Sequence, residues 1–358
     1  MKWNSKLEIG RREISAEQPV YFIADIASSH DGELSRAIDL IHLAAEAGAD
    51  CAKFQHFLAK DIVSDTGFAA LGKQSAHQSG WSKSVYEVFE QFETPRQWTK
   101  TLVAECKKAG VHYMTTPYDL EAIELMDPVV QAYKIGSGDI GWTDFLQIVA
   151  KRKKPLFLAT GAADITDVKQ AVAAILQHTP TLCLMQCNTN YTGELNNFAY
   201  LNLNVLHTYA SLYPGMVLGL SDHTPGHASV LGAVALGARA VEKHFTDDNG
   251  RDGPDHGFSM NPTSWREMVD RSRELELALG DGIKRVEANE REAAIVQRRC
   301  LRVKTKLPAG HILQVQDLEA LRPKPEGSLE PWQQKLAVGK ALPRPLAKGE
   351  ALMRDDFT

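Results

Sequence analysis

The chain opens with two short alternating runs, Leu7-Glu8-Ile9 and Glu13-Ile14-Ser15, on either side of Gly10. Apolar and polar positions alternating about a glycine predict a small hairpin. From residue 21 the pattern changes to compact apolar runs separated by stretches of helical spacing. The runs lie at 21–27, 51–57, 112–116, 132–135, 155–160, 182–187, 216–220 and 240–245. Between the first two, residues 35–47 place Ile38, Ile41, Ala44 and Ala45 on one side and stop at Gly48, as a glycine-terminated helix does. Residues 95–109, 164–176 and 229–236 carry similar spacing. Alternating strands and helices predict a parallel sheet, because each helix returns the chain to the same end. Eight such units in roughly 260 residues is the size of a closed barrel. The competing arrangement is a doubly wound open sheet, but the glycine fingerprint of a dinucleotide site is missing after the first strand. The predicted fold is α/β, a (β/α)8 TIM barrel.

Two features break the rhythm. Residues 58–94 separate the second and third strands and are rich in Ser, Gly, Gln and Lys. A connection that long in a compact domain predicts a functional loop. After residue 279, Gly280-Asp281-Gly282 opens a charged stretch that runs through Arg299. From Cys300 onward short strands alternate with Pro and Gly, as in Arg322-Pro323-Lys324-Pro325 and Pro343-Arg344-Pro345. This predicts a small, mostly β second domain, of about 60 residues and near the lower limit for independent folding. The expected boundaries are 1–281 for the barrel with its hairpin, 282–298 for a linker and 299–358 for the small domain.

Composition narrows the function by exclusion. Among 358 residues, 40 Lys and Arg face 45 Asp and Glu, a formal net charge of −5. That balance argues against nucleic acid as a partner, since phosphate backbones select a basic excess. No run approaches the ~20 apolar residues of a membrane helix, so no membrane association is expected. The start, Met1-Lys2-Trp3-Asn4-Ser5-Lys6, has no apolar core behind it, unlike a signal peptide. The five cysteines are odd in number and scattered, which points to reduced thiols and the cytoplasm. Cys183 and Cys187 have no second pair to complete a zinc site and read as small buried hydrophobes.

The chemistry of a barrel enzyme gathers where its strands end. The first strand runs into Asp25 and then His30-Asp31-Gly32. The second carries Lys53 and Gln55 on one face, two residues apart. The fourth holds Lys134 and turns through Gly136-Ser137-Gly138 to Asp139. Two ammonium groups converging in an apolar interior need an anion. That anion is either a ligand phosphate or carboxylate, or internal partners such as Asp25 and Glu242. The glycine turn lets backbone amides approach an anion closely. His223 and His244 close two adjacent strands. At a strand spacing of ~4.8 Å, the two imidazoles suit a shared divalent ion with water and substrate oxygens as further ligands. His227 and His256 lie outside these strand ends and receive no role.

In this order the motifs resemble the sialic acid synthase family, the phosphoenolpyruvate-condensing synthases of nonulosonic acids. The marks are Ile23-Ala24-Asp25-Ile26 with His30-Asp31-Gly32, Ala49-Asp50-Cys51-Ala52-Lys53-Phe54-Gln55, Thr116-Pro117-Tyr118-Asp119, Tyr133-Lys134-Ile135-Gly136-Ser137-Gly138-Asp139, Gly219-Leu220-Ser221-Asp222-His223-Thr224 and Glu242-Lys243-His244-Phe245-Thr246. The terminal segment resembles the family's antifreeze-like, or SAF, domain. The resemblance implies a metal-dependent transferase that joins phosphoenolpyruvate to the open-chain aldehyde of an N-acetylated hexosamine such as N-acetylmannosamine, with phosphate leaving by C–O cleavage. It assigns phosphoenolpyruvate to Lys53, Thr116, Lys134, Ser137 and Ser221, and a divalent metal, Mn²⁺ first with Mg²⁺ or Co²⁺ as alternatives, to His223 and His244. It places Gln55, Asp139, Tyr191 and Asp255 against the sugar and makes Asp25 the carboxylate that handles the attacking water. Arg322 would reach the sugar from the partner subunit of a domain-swapped homodimer.

The chain also departs from the family pattern. Asp25 and Asp139 stand where Glu is usual, Ser29 where Asn is usual and Ala159 where Ser is frequent. The usual proline after Tyr191 is missing, and the terminal Arg-Pro-Gly has become Arg322-Pro323-Lys324. The marks around metal and phosphate are kept better than those around the sugar, so the resemblance speaks more to the reaction than to the substrate. Two other readings stand beside it. One is an octulosonate-phosphate-type synthase acting on a sugar phosphate. The other is a non-catalytic barrel that binds a sugar acid.

Overall fold

The computed structural model describes residues 2–71, 78 and 81–357. Residues 72–77, 79 and 80, which belong to the long insertion, lie outside the described residues. The chain divides into two compact units, Met1–Gly280 and Asp281–Thr358.

In the first unit β1 (Lys6–Ile9) and β2 (Arg12–Ser15) form the antiparallel hairpin. Eight parallel strands then close into a barrel: β3 (Tyr21–Asp25), β4 (Cys51–His56), β5 (His112–Pro117), β6 (Tyr133–Ile135), β7 (Leu156–Ala159), β8 (Leu182–Cys187), β9 (Val217–Asp222) and β10 (Ala238–His244). Each pairs with its neighbour in sequence, and β10 closes the ring against β3.

The period-two alternation of each strand separates two cores. Phe22, Ala24 and Phe54 face outward and pack with helix residues such as Leu40, Ile41, Leu102 and Trp265. Tyr21, Ile23, Cys51, Met114, Phe157 and Cys183 face inward, where they meet Leu7, Ile9 and Ile14 of the hairpin. The hairpin therefore plugs the N-terminal end of the barrel with side chains worth roughly 1.5–3 kcal/mol each when fully buried. Gly219 marks the tightest point of the inner layer: a Cβ there would meet the Ala240 carbonyl oxygen at 2.8 Å. Its neighbour β10 shifts register between Ala238 and Ala240 at the same level.

The first strand is shorter than its apolar run. Pairing stops at Asp25 and Ala27 adopts a positive φ of 44°, which turns the chain across the barrel rim. The insertion is not simply a loop. It contains helices at Ala59–Ile62, Asp65–Leu71 and Val85–Gln91. The last begins at a capping box in which Ser84 and Glu87 bond reciprocally, and Val85, Val88, Phe89 and Phe92 recur at helical spacing.

The second unit pairs β11 (Cys300–Val303) with β12 (Leu318–Leu321), antiparallel. Its core is Leu301, Val303, Leu307, Leu313, Leu318, Leu329, Ala337, Leu342, Leu346 and Leu352. The segment expected as a linker belongs to this unit: it includes a short helix, Ala293–Val296, and the Ile295 carbonyl accepts from Lys324 N–H at 2.8 Å. Arg322 follows β12 and is exposed.

Candidate active site

The inward positions turn from apolar to polar at the C-terminal ends of the strands. Tyr21 and Ile23 give way to Asp25, Cys51 to Lys53 and Gln55, Met114 to Thr116, and Ala240 to Glu242 and His244. Register sets these groups side by side. Asp25 lies opposite both Lys53 and His244, Gln55 opposite Thr116, and Ser221 opposite Cys187 and Glu242.

The floor of the site is a set of buried ions. Lys53 Nζ lies 2.7 Å from Asp25 Oδ2, donates to Thr116 Oγ1 at 3.2 Å and sits 3.9 Å from Glu242 Oε1. Lys134 Nζ donates to the same Glu242 oxygen at 3.0 Å, and Ser221 Oγ donates to it at 3.4 Å. The internal partners considered from sequence are thus real, and each lysine, 1% and 3% exposed, has its own carboxylate. Glu242 Oε2 is buried and has no hydrogen-bond partner among the described residues. Burial alone would raise the Asp25 carboxyl, but Lys53, His244 and the hydrogen bonds from Lys53 and Gln55 override it and hold it at about 2. Burial likewise opposes the charge on Lys53, yet Asp25 and Glu242 hold its ammonium above the ordinary value. Both members of the pair are charged. Any ligand anion reaching these lysines would have to exchange with the built-in carboxylates.

His223 and His244 stand above the floor with ring centroids 5.4 Å apart. The Asn188 carbonyl lies 2.9 Å from His223 Nδ1; a carbonyl only accepts, so Nδ1 carries the proton and Nε2 keeps its lone pair. Burial, reinforced by His244, pushes His223 down to about 4 and keeps it neutral. His244 Nδ1 is buried without a hydrogen bond, 3.8 Å from Asp255 Oδ2, while its Nε2 is 3.6 Å from Asp25 Oδ2. A neutral imidazole with a free lone pair and a second with an orphaned nitrogen fit a metal's needs. Among the described residues no three His, Cys, Asp or Glu side chains converge on one ion position. The protein would supply two imidazoles, and water or substrate the rest.

The histidines are held from behind. The residues before them, Asp222 and Lys243, face outward in register and form a buried ion pair at 2.5 Å. Lys243 also donates to the Thr224 carbonyl, and Asp222 accepts from Ser229 Oγ at 2.6 Å.

Above the floor lies a cavity of about 280 Å³ whose lining includes Ser28, Gln55, Ser137, Tyr191, His244 and Asp255. Gln55 donates to Asp25 at 3.0 Å. Asp255 Oδ2 accepts from Ser28 N–H at 3.1 Å and Ser28 Oγ at 2.6 Å. The Tyr191 ring packs 4.2 Å from that of His223. Ser137 Oγ accepts from Gly161 N–H at 2.9 Å. Asp139 ends the short turn Ser137–Asp139; burial pushes its carboxyl up to about 6, and Oδ2 has no hydrogen-bond partner. It does not line the cavity, and Arg322 belongs to the second unit.

Several contributors went unassigned in the sequence. Asn188 acts through its backbone carbonyl, which leaves no side-chain signal. Phe258 packs 4.9 Å from His244 from a loop without periodicity. His256 is fully buried between Thr246 Oγ1 at 2.7 Å and Asp31 Oδ1 at 2.9 Å, tying down the loop that carries Asp255. Asp222 and Lys243 were visible as charges in apolar strands, at positions whose parity points them away from the site.

A closed (β/α)8 barrel with paired lysines beneath neighbouring histidines at its C-terminal mouth has the layout of a barrel enzyme. The NeuB family matches residues 40–284 and the SAF domain residues 298–358. The chain belongs to the NeuB family, the sialic acid synthase family. It is 31% identical to N,N'-diacetyllegionaminic acid synthase of Campylobacter jejuni over 84% of this chain and 90% of that one. It is 35% identical to the spore coat polysaccharide biosynthesis protein SpsE of Bacillus subtilis, over 77% and 73%. A crystal structure of the N-acetylneuraminic acid synthetase from Leptospira borgpetersenii superposes with a TM-score of 0.71 at 25% identity, covering 82% of this chain and 96% of that one.

Proposed function

We propose that this protein is a phosphoenolpyruvate-condensing synthase that makes a nonulosonic acid from an N-acetylated hexosamine. The observation that carries the reading is the floor of two buried, carboxylate-paired lysines beneath two histidines, in a chain of this family. In the reaction the methylene carbon of phosphoenolpyruvate bonds to the aldehyde carbon of the open-chain sugar. Water oxygen bonds to the enol carbon, the bond from that carbon to the bridging oxygen breaks, and inorganic phosphate departs with that oxygen.

Lys53, Thr116, Lys134, Ser137 and Ser221 bind the phosphate and carboxylate of phosphoenolpyruvate and stabilise charge on the leaving group. A carboxylate held at about 2 by Lys53 is a weak base. When the substrate anion takes over Lys53, Asp25 is released and accepts the proton of the attacking water. Gln55, Tyr191 and Asp255, which line the cavity, orient the sugar; the family pattern adds Asp139 from outside that lining and Arg322 from the partner in a domain-swapped homodimer. His223 and His244 are the residues that would hold a divalent ion, with Mn²⁺ first. Such an ion, when bound, supplies Lewis acidity to the aldehyde oxygen. Five unpaired, buried cysteines support a reducing compartment, the cytoplasm.

The test uses phosphoenolpyruvate labelled with ¹⁸O at the bridging oxygen, supplied with Mn²⁺ and N-acetylated hexosamines. Sugar-dependent release of phosphate that retains the label is expected. Unlabelled phosphate would mean P–O cleavage and would refute the assignment, as would release that ignores the sugar.

A further inference from the structure

The barrel closes where β10 meets β3, and the two loops that leave this seam are clasped by ions. Arg36, on the helix Leu34–Glu46, is 8% exposed. Its Nε donates to the Ser29 carbonyl at 2.7 Å and lies 3.0 Å from Asp31 Oδ2, while both terminal nitrogens engage Asp247, Nη1 at 2.8 Å. Arg251 bridges the same two carboxylates, 3.3 Å from Asp247 and 3.7 Å from Asp31. Beside this clasp, His256 donates from Nε2 to Asp31 Oδ1 at 2.9 Å, and its Nδ1 meets Thr246 Oγ1 at 2.7 Å. Both ring nitrogens are used and the side chain is fully buried, so His256 itself touches neither substrate nor ion. The chain folds flat against the ring: a Cβ at Gly253 would meet His256 Cδ2 at 2.6 Å, an approach that glycine alone allows. On the facing loop, Ala27 and Asp31 hold positive φ angles of 44° and 52°, which persist only where surrounding contacts fix them.

We propose that His256 is a positioning residue for the condensation and acts through Asp255. The proposal rests on the synthase reading above and adds a residue to its site. Asp255 precedes His256 directly and lines the cavity. Its Oδ2 accepts from Ser28 N–H and Ser28 Oγ of the facing loop, and its main-chain carbonyl accepts from Ser259 Oγ at 2.5 Å. The two loops are therefore stitched twice at close quarters, Ser28 to Asp255 and Asp31 to His256. One stitch alone leaves the loop free to pivot about it; two fix both the place and the tilt of the Asp255 carboxylate. When the His256 bond is lost, Asp255 shifts against the sugar. The lysine floor is carried by strands and stays where it is. A displacement of ~1 Å in a contact of this kind costs up to about 100-fold.

The experiment measures phosphate release at saturating phosphoenolpyruvate and Mn²⁺, with N-acetylmannosamine or whichever N-acetylated hexosamine the wild-type protein uses best. It compares wild type, His256→Ala, Asp255→Ala and the double variant. His256→Ala is expected to raise KM for the sugar about 10–100-fold with kcat within about threefold, and to leave phosphoenolpyruvate affinity, read by calorimetry, unchanged. In the Asp255→Ala background the same substitution should change kcat/KM by less than about twofold, because the group it positions is gone. His256→Gln keeps a donor toward Asp31 and should recover most of the loss; it also serves if His256→Ala does not fold. An unchanged KM, an equal loss in both backgrounds, a parallel loss of phosphoenolpyruvate affinity, or His256→Gln as impaired as His256→Ala overturns the inference and leaves the synthase reading standing. No sugar-dependent release by the wild-type protein overturns both.

Discussion

Asp25→Asn isolates the buried ion pair at the heart of the site. Asparagine keeps the volume and mimics the protonated carboxyl at every pH. The native carboxyl sits at about 2 against an ordinary 3.8. At about 1.4 kcal/mol per pH unit, the charged form contributes about 2–3 kcal/mol at neutral pH. The native value lies below the unfolded one, so this contribution is complete above about pH 4 and is lost as pH falls through about 2. The variant should therefore be less stable by about 2–3 kcal/mol at pH 7, with the barrel melting about 5–10 °C lower. The gap should narrow to about half by pH 3. Urea unfolding of both proteins at pH 7 and pH 3 measures it. Turnover should fall about 10²–10⁴-fold, with phosphoenolpyruvate still bound in calorimetry. A stability gap under about 0.5 kcal/mol at pH 7, or one that does not narrow toward pH 3, would refute the charge-pair account. Turnover within a few-fold of wild type would remove Asp25 from the role of base.

Other substitutions probe separate parts of the site. Lys134→Ala should weaken phosphoenolpyruvate binding by about 1.5–3 kcal/mol; unchanged affinity in calorimetry would assign the lysine to structure alone. His244→Ala should abolish Mn²⁺ binding in titration calorimetry and turnover while the melting transition persists; full activity in the variant or in chelator-treated protein would sink the metal role. Asp139 is raised to about 6 by burial, so it costs stability as pH rises from about 4 through 6. Asp139→Asn should be more stable than wild type at pH 7 and equal to it at pH 4, and the same difference at both pH values would contradict this. Arg322→Ala and His244→Ala proteins, each inactive alone, should regain activity when mixed; subunit exchange seen by mass spectrometry without recovery would show that Arg322 does not act across a dimer.

The barrel was legible because its strands are buried on both faces and stand out as apolar runs between helical spacings. The inward polar residues were legible for the same reason: Lys53, Lys134 and Glu242 interrupt runs that are otherwise apolar. Their pairing was not, because the choice between ligand and carboxylate as counter-ion depends on register, which places Asp25 level with Lys53. The helices of the insertion were hidden by composition. The insertion is rich in Ser, Gly, Gln and Lys, and four apolar residues from Val85 to Phe92 carry the helical face inside it. Asn188, holding His223 through a main-chain oxygen, leaves no trace in residue type.

The hairpin at the N-terminal end makes the barrel a vessel with one mouth. Leu7, Ile9 and Ile14 seal the bottom, and the lysines lie one side-chain layer below Gln55, deeper than the cavity lined by Tyr191 and Asp255. Whatever occupies the lower layer has to arrive before the upper layer fills. The expected consequence is an ordered reaction, with phosphoenolpyruvate binding first and the sugar second. Phosphate, formed at the bottom, would then leave only after the nine-carbon product above it. The sugar thus acts as a stopper during turnover, and inorganic phosphate should compete with phosphoenolpyruvate for the empty protein but not with the sugar.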